Sequence, residues 1–200
     1  MGGGLRLTFA IPARESRMLA ASGPAPMVGD ATLLEEMVAV HQRRVFRVAF
    51  RLLGDLDEAH SVTQDCFLNA YRAIDRFPAD PAGRQRWLIR LVVNLSLDRL
   101  RSRKWQWWRG RQPQADHEDP AASPRTPERE ALGEELRSRL MLALDRLPAR
   151  QRAVFVLRHY EDYPLDRIAT ELGLREGTVK SHLSRALIKL REELKEFYGT

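Results

Sequence analysis

Residues 164–190 read PLDRIATELGLREGTVKSHLSRALIKL, a stretch that predicts two short helices split by a tight turn. A helix-turn-helix needs a small residue where its helices touch, a glycine in the turn, and a branched apolar residue that anchors the second helix. Ala169, Gly173 and Val179 occupy these three places at the required spacing. The stretch therefore predicts a helix-turn-helix.

The second of these helices is predicted to start near Arg175 and to turn a polar side outward. Cations and hydroxyls on such a helix can contact base edges or phosphates in the major groove of DNA. The candidate DNA-binding residues are Arg175, Thr178, Lys180, Ser181, Ser184 and Arg185. The alternative is a plain helical hairpin whose basic side is only solvated.

The remaining sequence predicts an all-α protein of two small helical domains joined by a flexible linker. Apolar residues recur at three- and four-residue steps in residues 33–104 and again from residue 128, whereas no stretch alternates long enough for a strand. Gly54 is predicted to end the first helix, and a third helix is expected from about Arg84 to Lys104. We expect a flexible extension at 1–29, a helical bundle at 30–104, a proline-punctuated linker at 105–127 and a second domain at 128–200.

Positive charge is concentrated in the third helix. The 200 residues carry a net charge of +6, and residues 84–111 hold nine Arg or Lys against the single acid Asp98. A polyanion is the natural partner of such a segment. Trp87 and Asn94 stand among these cations, as suits unpaired bases that stack or flip out. A core helix with a solvated charged side explains the same residues, and both interpretations stay open.

Residues 57–71 form a further amphipathic pattern. Its polar side holds Gln64 and Asp65 beside Phe67 and Leu68. An ordinary surface helix accounts for this arrangement, and a face that binds another protein is the alternative.

Composition excludes several classes of function. Cys66 is the only cysteine, which rules out a disulfide framework and a cysteine-rich zinc site. The five histidines lack metal-ligand spacing, and no glycine loop fits a phosphate cradle. No apolar run is long enough to span a bilayer. We expect a cytoplasmic protein without catalytic residues, bound metal, cofactor or membrane insertion.

Five ordered motifs together resemble bacterial RNA polymerase sigma factors of the extracytoplasmic-function (ECF) group, over about residues 30–198. The motifs are RLLGDLDEA from Arg51, VTQDCFLNAY from Val62, WLIRLVVNLSLDRLR from Trp87, LDRLPARQRAVFVLR from Leu144 and GTVKSHLSRAL from Gly177. The resemblance implies that the first domain is region 2 of such a factor and the second is region 4.

The resemblance also implies partners and residue roles. Region 2 is expected to dock on core RNA polymerase through Gln64, Asp65, Phe67 and Leu68. Its third helix would bind and open the minus-ten promoter element with Trp87, Arg90, Asn94, Arg99, Arg101 and Arg103. Asn94 matches a residue that contacts a flipped base, and the turn at 78–84 matches a loop that helps to read it. The six candidate residues of the helix-turn-helix would read minus-35 DNA, and an anti-sigma factor is an expected partner.

The chain departs from the family pattern at several positions. His60 and Ser61 stand where acids are common, Arg84 replaces an aromatic or apolar residue, and His182 and Leu187 replace frequent arginines. The promoter sequence therefore cannot be transferred from relatives.

Two other functions are weighed against a sigma factor. A two-domain regulator of the response-regulator type can carry a similar DNA-binding helix, but its receiver domain needs alternating strands and helices. A partner-binding module without DNA activity is opposed by the basic third helix and the intact helix-turn-helix.

Overall fold

The computed structural model describes residues 28–76, 78–108 and 127–198 of the chain. These residues form seven α-helices and one short 3-10 turn at Ile74–Arg76, with no strand among them. The helices are α1 Val28–Leu53, α2 Leu56–Arg72, α3 Pro81–Trp108, α4 Pro127–Asp145, α5 Ala149–His159, α6 Leu165–Leu172 and α7 Glu176–Tyr198. The predicted all-α class is confirmed.

Helices α1, α2 and α3 pack as the bundle of the first domain. Gly54 ends α1 in the left-handed region, at a φ of +68°, where glycine meets no steric cost. Asp55 then caps α2, its carboxylate accepting a 2.8 Å hydrogen bond from the backbone N–H of Glu58. Side chains such as Val62 and Leu88 are completely or almost completely buried between the helices. Local signals thus end α1 and begin α2 where the sequence predicts.

Helix α3 is longer than the sequence indicates, running from Pro81 to Trp108. Residues 105–108, expected in the linker, continue this helix. The reason is local, because no glycine or proline interrupts the chain between Gly83 and Gly110. Pro81 stands at the first helical position, where its missing N–H costs nothing. Residues 28–29 of the expected extension begin α1, and residue 127 of the expected linker begins α4. Residues 1–27 and 109–126 lie outside the described residues.

Helices α4 to α7 form the second domain. Gly173 ends α6 at a φ of +61°, and the N–H of Leu174 donates to the carbonyl of Ala169 at 2.8 Å, the pattern of a Schellman cap. Val179 is fully buried and Ala169 is 8% exposed. The predicted helix-turn-helix is therefore present, although α7 is not short: it extends over 23 residues, because no proline follows its first turn.

The two domains pack directly against each other. Helix α1 contacts α4 and α5, and α3 contacts α5. Apolar residues of both domains join one continuous core. The sequence predicts two tethered domains and contains no signal for this contact.

Candidate nucleic-acid interfaces

Helix α7 presents an exposed polar surface at its N-terminal half. All six residues that the sequence assigns to duplex DNA are exposed. Val179 and Ala186 are fully buried on the opposite side of the helix and anchor it to the domain. Lys180 forms a 2.8 Å ion pair with Glu176 one turn earlier. The structure thus places five of the six residues on a rigid helix that a major groove can accept, with Arg175 immediately before its start.

His182 lies at the edge of this surface and is half-buried. Burial lowers its pKa, and the nearby charges of Arg150 and Arg185 lower it further. The imidazole is therefore neutral at pH 7. Positive charge on this part of α7 comes from Lys180 and Arg185 instead.

Helix α3 carries the second set of predicted DNA contacts, and here most side chains are only partly accessible. Of the residues assigned to minus-ten DNA whose side chains are described, only Arg101 is exposed. Trp87 and Asn94 are half-buried, and Trp87 packs against the core. The side chains of Arg103 and of Trp105, Trp107 and Trp108 lie outside the described residues.

Acids from other helices neutralise two arginines of α3. Arg99 lies 3.1 Å from Glu58 and 3.6 Å from Asp65, both on α2. Arg90 lies 3.5 Å from Glu171 on α6. The strong positive field expected from the sequence is thus reduced locally, because the acids come from other helices.

The turn before α3 is held by its own hydrogen bonds. The carboxylate of Asp80 accepts from the N–H of Gly83 at 2.6 Å, and the Nε of Arg84 donates to the carbonyl of Pro78 at 3.0 Å. A Cβ on Gly83 would approach the Cβ of Pro78 to 2.8 Å, so the turn requires glycine. Arg84, which stands where the resemblance implies that an aromatic or apolar residue is common, therefore stabilises the turn through this hydrogen bond.

Only part of the predicted protein-binding face on α2 is exposed to solvent. Gln64 and Leu68 are exposed, Leu68 at 51%. Asp65 is half-buried and pairs with Arg99. Phe67, assigned to the face, is 7% exposed and belongs to the core. Phe67 is thus placed to support this face from beneath, because its ring fills the space between the helices.

No catalytic or metal-binding constellation accompanies these surfaces in the described part of the chain. No cluster of three metal-ligating side chains exists within residues 28–76, 78–108 and 127–198. Cys66 is buried, its thiol donates to the carbonyl of Leu88, and burial raises its pKa. A thiol in this state is a poor nucleophile. None of the described helices is long and apolar enough to cross a bilayer.

Comparisons with known proteins agree with this architecture. The family described as Sigma-70 region 2 matches residues 37–106, and Sigma-70, region 4 matches residues 137–190. The ECF RNA polymerase sigma factor SigM of Mycobacterium tuberculosis is 34% identical over 168 residues, which cover 83% of this chain and 79% of SigM. The chain belongs to the ECF RNA polymerase sigma factors. It is thus a sigma factor that directs promoter-specific transcription.

Further similarities extend over most of this sigma factor. SigW of Bacillus subtilis, also an ECF sigma factor, is 27% identical over 173 residues, 84% of this chain and 92% of SigW. The fold resembles that of the sigma factor RpoE from Bartonella quintana, solved in complex with the anti-sigma factor NepR. That match has a TM-score of 0.62 and 24% identity, and covers 80% of this chain and 96% of RpoE.

Sequence reasoning missed the residues that join region 2 to region 4 in this sigma factor. Arg152 is one of them, with a side chain that is 4% exposed. Glu161 and Glu171 are two more, each paired with an arginine of region 2. Arg152 stands in a polar stretch, and nothing in its neighbours indicates that its side chain is buried. The two glutamates carry no local signal, because their partners are distant in the chain.

Proposed function

We propose that this sigma factor binds core RNA polymerase and divides promoter recognition between its two domains. Region 4 reads the minus-35 element as duplex DNA, and region 2 recognises and melts the minus-ten element. The observation that carries the proposal is the order of the two domains on one chain, with an exposed recognition helix in the second.

Region 4 is suited to binding duplex DNA because α7 is rigid and its polar residues are already exposed to solvent. Its N-terminal half offers guanidinium, ammonium and hydroxyl groups, which bind base edges and phosphates. Arg185 and Lys180 supply its charge, since His182 is neutral. No rearrangement within region 4 is needed for α7 to enter a major groove.

Region 2 is suited to binding the separated DNA strands of the minus-ten element. Asn94 is half-buried beside the apolar side of α3, where its amide can hold a flipped base by hydrogen bonds. Trp87 supplies a ring for stacking, and Arg90, Arg99, Arg101 and Arg103 are assigned to the strand backbone. These assignments remain predictions from the family resemblance.

Two protein partners belong to the proposal. The face formed by Gln64, Asp65 and Leu68, with Phe67 beneath it, docks on core polymerase. An anti-sigma factor silences the protein. The polymerase performs nucleotide transfer, whereas this chain supplies specificity in the cytoplasm and has no enzymatic activity of its own.

The response-regulator alternative is not favoured. Residues 37–106 match Sigma-70 region 2, and the described residues of this half form helices without the strands that a receiver domain requires.

Reconstituted transcription tests the proposed function. Core polymerase lacking a sigma factor is mixed with the chain and genomic fragments, and the transcript starts are sequenced. Starts that share two upstream motifs are expected. Arg185→Ala should lower initiation by roughly 10- to 100-fold through the minus-35 element, since one base contact is worth about 1–3 kcal/mol. Asn94→Ala should act through the minus-ten element.

Arg191→Ala is the matched control, because Arg191 is an exposed arginine farther along α7. It should leave initiation close to wild type. Failure of the wild-type chain to bind core or to direct any start would overturn the proposal, and retained duplex binding alone would favour the regulator.

A further inference from the structure

We infer that Arg99 of α3 is a positioning residue for the polymerase-binding face of α2, where it holds the carboxylate of Asp65 in one orientation for core polymerase. The inference rests on the proposed function, because it takes Gln64, Asp65 and Leu68 as that face. It gives Arg99 a role within region 2, in place of the contact with the strand backbone that the family resemblance implies.

The guanidinium of Arg99 joins three polar side chains of α2. Its Nε lies 3.1 Å from Oε2 of Glu58, and its Nη2 donates to the hydroxyl of Ser61 at 3.0 Å. The same Nη2 lies 3.6 Å from Oδ2 of Asp65. The three partners follow one another at steps of three and four positions, so they lie along one side of α2. A guanidinium suits such a row, because its planar fork holds several donors in fixed directions.

The contact with Glu58 keeps the guanidinium against α2. Oε2 of Glu58 is buried, and Arg99 supplies its compensating charge. If Arg99 turned away toward a phosphate, this carboxylate oxygen would lose that partner in a buried position, which is costly. Arg99 is therefore better placed to bind α2 than to bind DNA.

Asp65 gains a fixed orientation from the same guanidinium. Its side chain is 49% exposed, so the carboxylate is still accessible to a partner protein. A side chain that is already ordered loses less conformational entropy when a partner binds. Ser61, which stands where the resemblance implies that an acid is common, offers Arg99 a neutral acceptor. It therefore does not compete with Asp65 for the positive charge.

Arg101 shows the opposite arrangement two positions later on α3. Its side chain is 63% exposed and pairs with Asp98 of the same helix. Arg101 can therefore reach a phosphate without leaving an acid of α2 behind. The cations of α3 thus divide between contacts within the fold and contacts available to DNA.

Equilibrium binding of the full chain to core polymerase tests the inference. Arg99→Gln removes the charge, and Arg47→Gln is the matched control, with the same change at an exposed position of α1. Arg99→Gln should raise the Kd for core about 3- to 10-fold, because Asp65 is no longer ordered in advance, whereas the control should bind as the wild type does. Arg99→Lys keeps the charge but loses the fork, so its Kd should lie between the two. Circular dichroism checks that each variant folds.

A double-mutant cycle with Asp65→Asn separates positioning from a general loss of structure. Since Arg99 acts through Asp65, Arg99→Gln should raise the Kd no further in the Asp65→Asn background. At saturating core, Arg99→Gln and the Arg47→Gln control should bind equally to a single-stranded oligonucleotide that carries the minus-ten motif of the mapped starts.

Three results would overturn the inference alone, provided that the wild type binds core. They are an unchanged Kd for core in Arg99→Gln, additive effects in the cycle, and weaker strand binding by Arg99→Gln at saturating core, which would place Arg99 at the DNA instead. A wild-type chain that binds no core would overturn the proposed function and this inference together.

Discussion

At the scale of single residues, Arg152 joins the two domains. Its guanidinium is almost fully buried and bonds to Leu52 of region 2 and to Asp145 of region 4. Removing the guanidinium leaves the carbonyl of the fully buried Leu52 without this partner. Arg152 therefore contributes to stability through groups in both domains.

Arg152→Met is expected to lower the free energy of unfolding by about 2–3 kcal/mol. Arg150→Met is the control, since Arg150 is exposed two residues earlier, and its effect should stay within about 0.5 kcal/mol. Urea titration followed by circular dichroism measures both. Equal losses in the two variants would show that the buried hydrogen bonds of Arg152 do not stabilise the fold.

At the scale of helices and turns, the two glycine turns are the features that the sequence predicts most directly. Gly54 and Gly173 both take a positive φ where a helix ends, and the sequence predicts both as turn residues. A Cβ on Gly173 would meet nothing within 4 Å, so a substitution there tests backbone strain alone. The turn geometry sets the angle at which α7 leaves the domain.

Gly173→Ala is expected to destabilise region 4 by about 1 kcal/mol, because alanine disfavours the left-handed region. Gly177→Ala is a matched control: Gly177 is also unobstructed but lies in the first turn of α7, where alanine is tolerated or favoured. Thermal unfolding compares the two. A Gly173→Ala variant as stable as Gly177→Ala would contradict this account of the turn.

At the scale of the whole molecule, charges from distant segments meet at the contact between the domains. Burial raises the pKa of Glu171, opposed by the nearby cations Arg90, Arg167 and Arg86. Just above the usual carboxyl pKa, the folded chain therefore binds more protons at Glu171 than the unfolded chain does. This contribution to stability is present at low pH and is lost as pH rises.

The free energy of unfolding of the wild type relative to Glu171→Gln should therefore fall as pH rises from about 4 to about 7. Urea unfolding of both chains across this range measures the difference. Glu135→Gln, at an exposed position on α4, should show no comparable trend. A difference that rises with pH would mean that attraction to the arginines outweighs burial.

Local sequence patterns are enough to predict most of the helices, the helix-turn-helix and the polar residues exposed on α7. These features depend on neighbours within a few positions. Asp55 caps the helix that follows it, and Gly173 adopts the positive φ of the turn. Val179 lies on the apolar side of its own helix. Family motifs added the roles of the two regions. Short-range patterns of this kind are read directly from the order of residues.

Packing between helices determines that Phe67 is buried, that Glu58 and Asp65 neutralise Arg99, and that region 4 covers Arg90. Arg44 and Glu161 are 117 positions apart, and no local pattern pairs them. Helical periodicity assigns a residue to one side of its helix but does not say which other helix covers that side. The charge that a partner meets depends on that packing, because an acid from a distant helix cancels a cation that the sequence leaves unopposed.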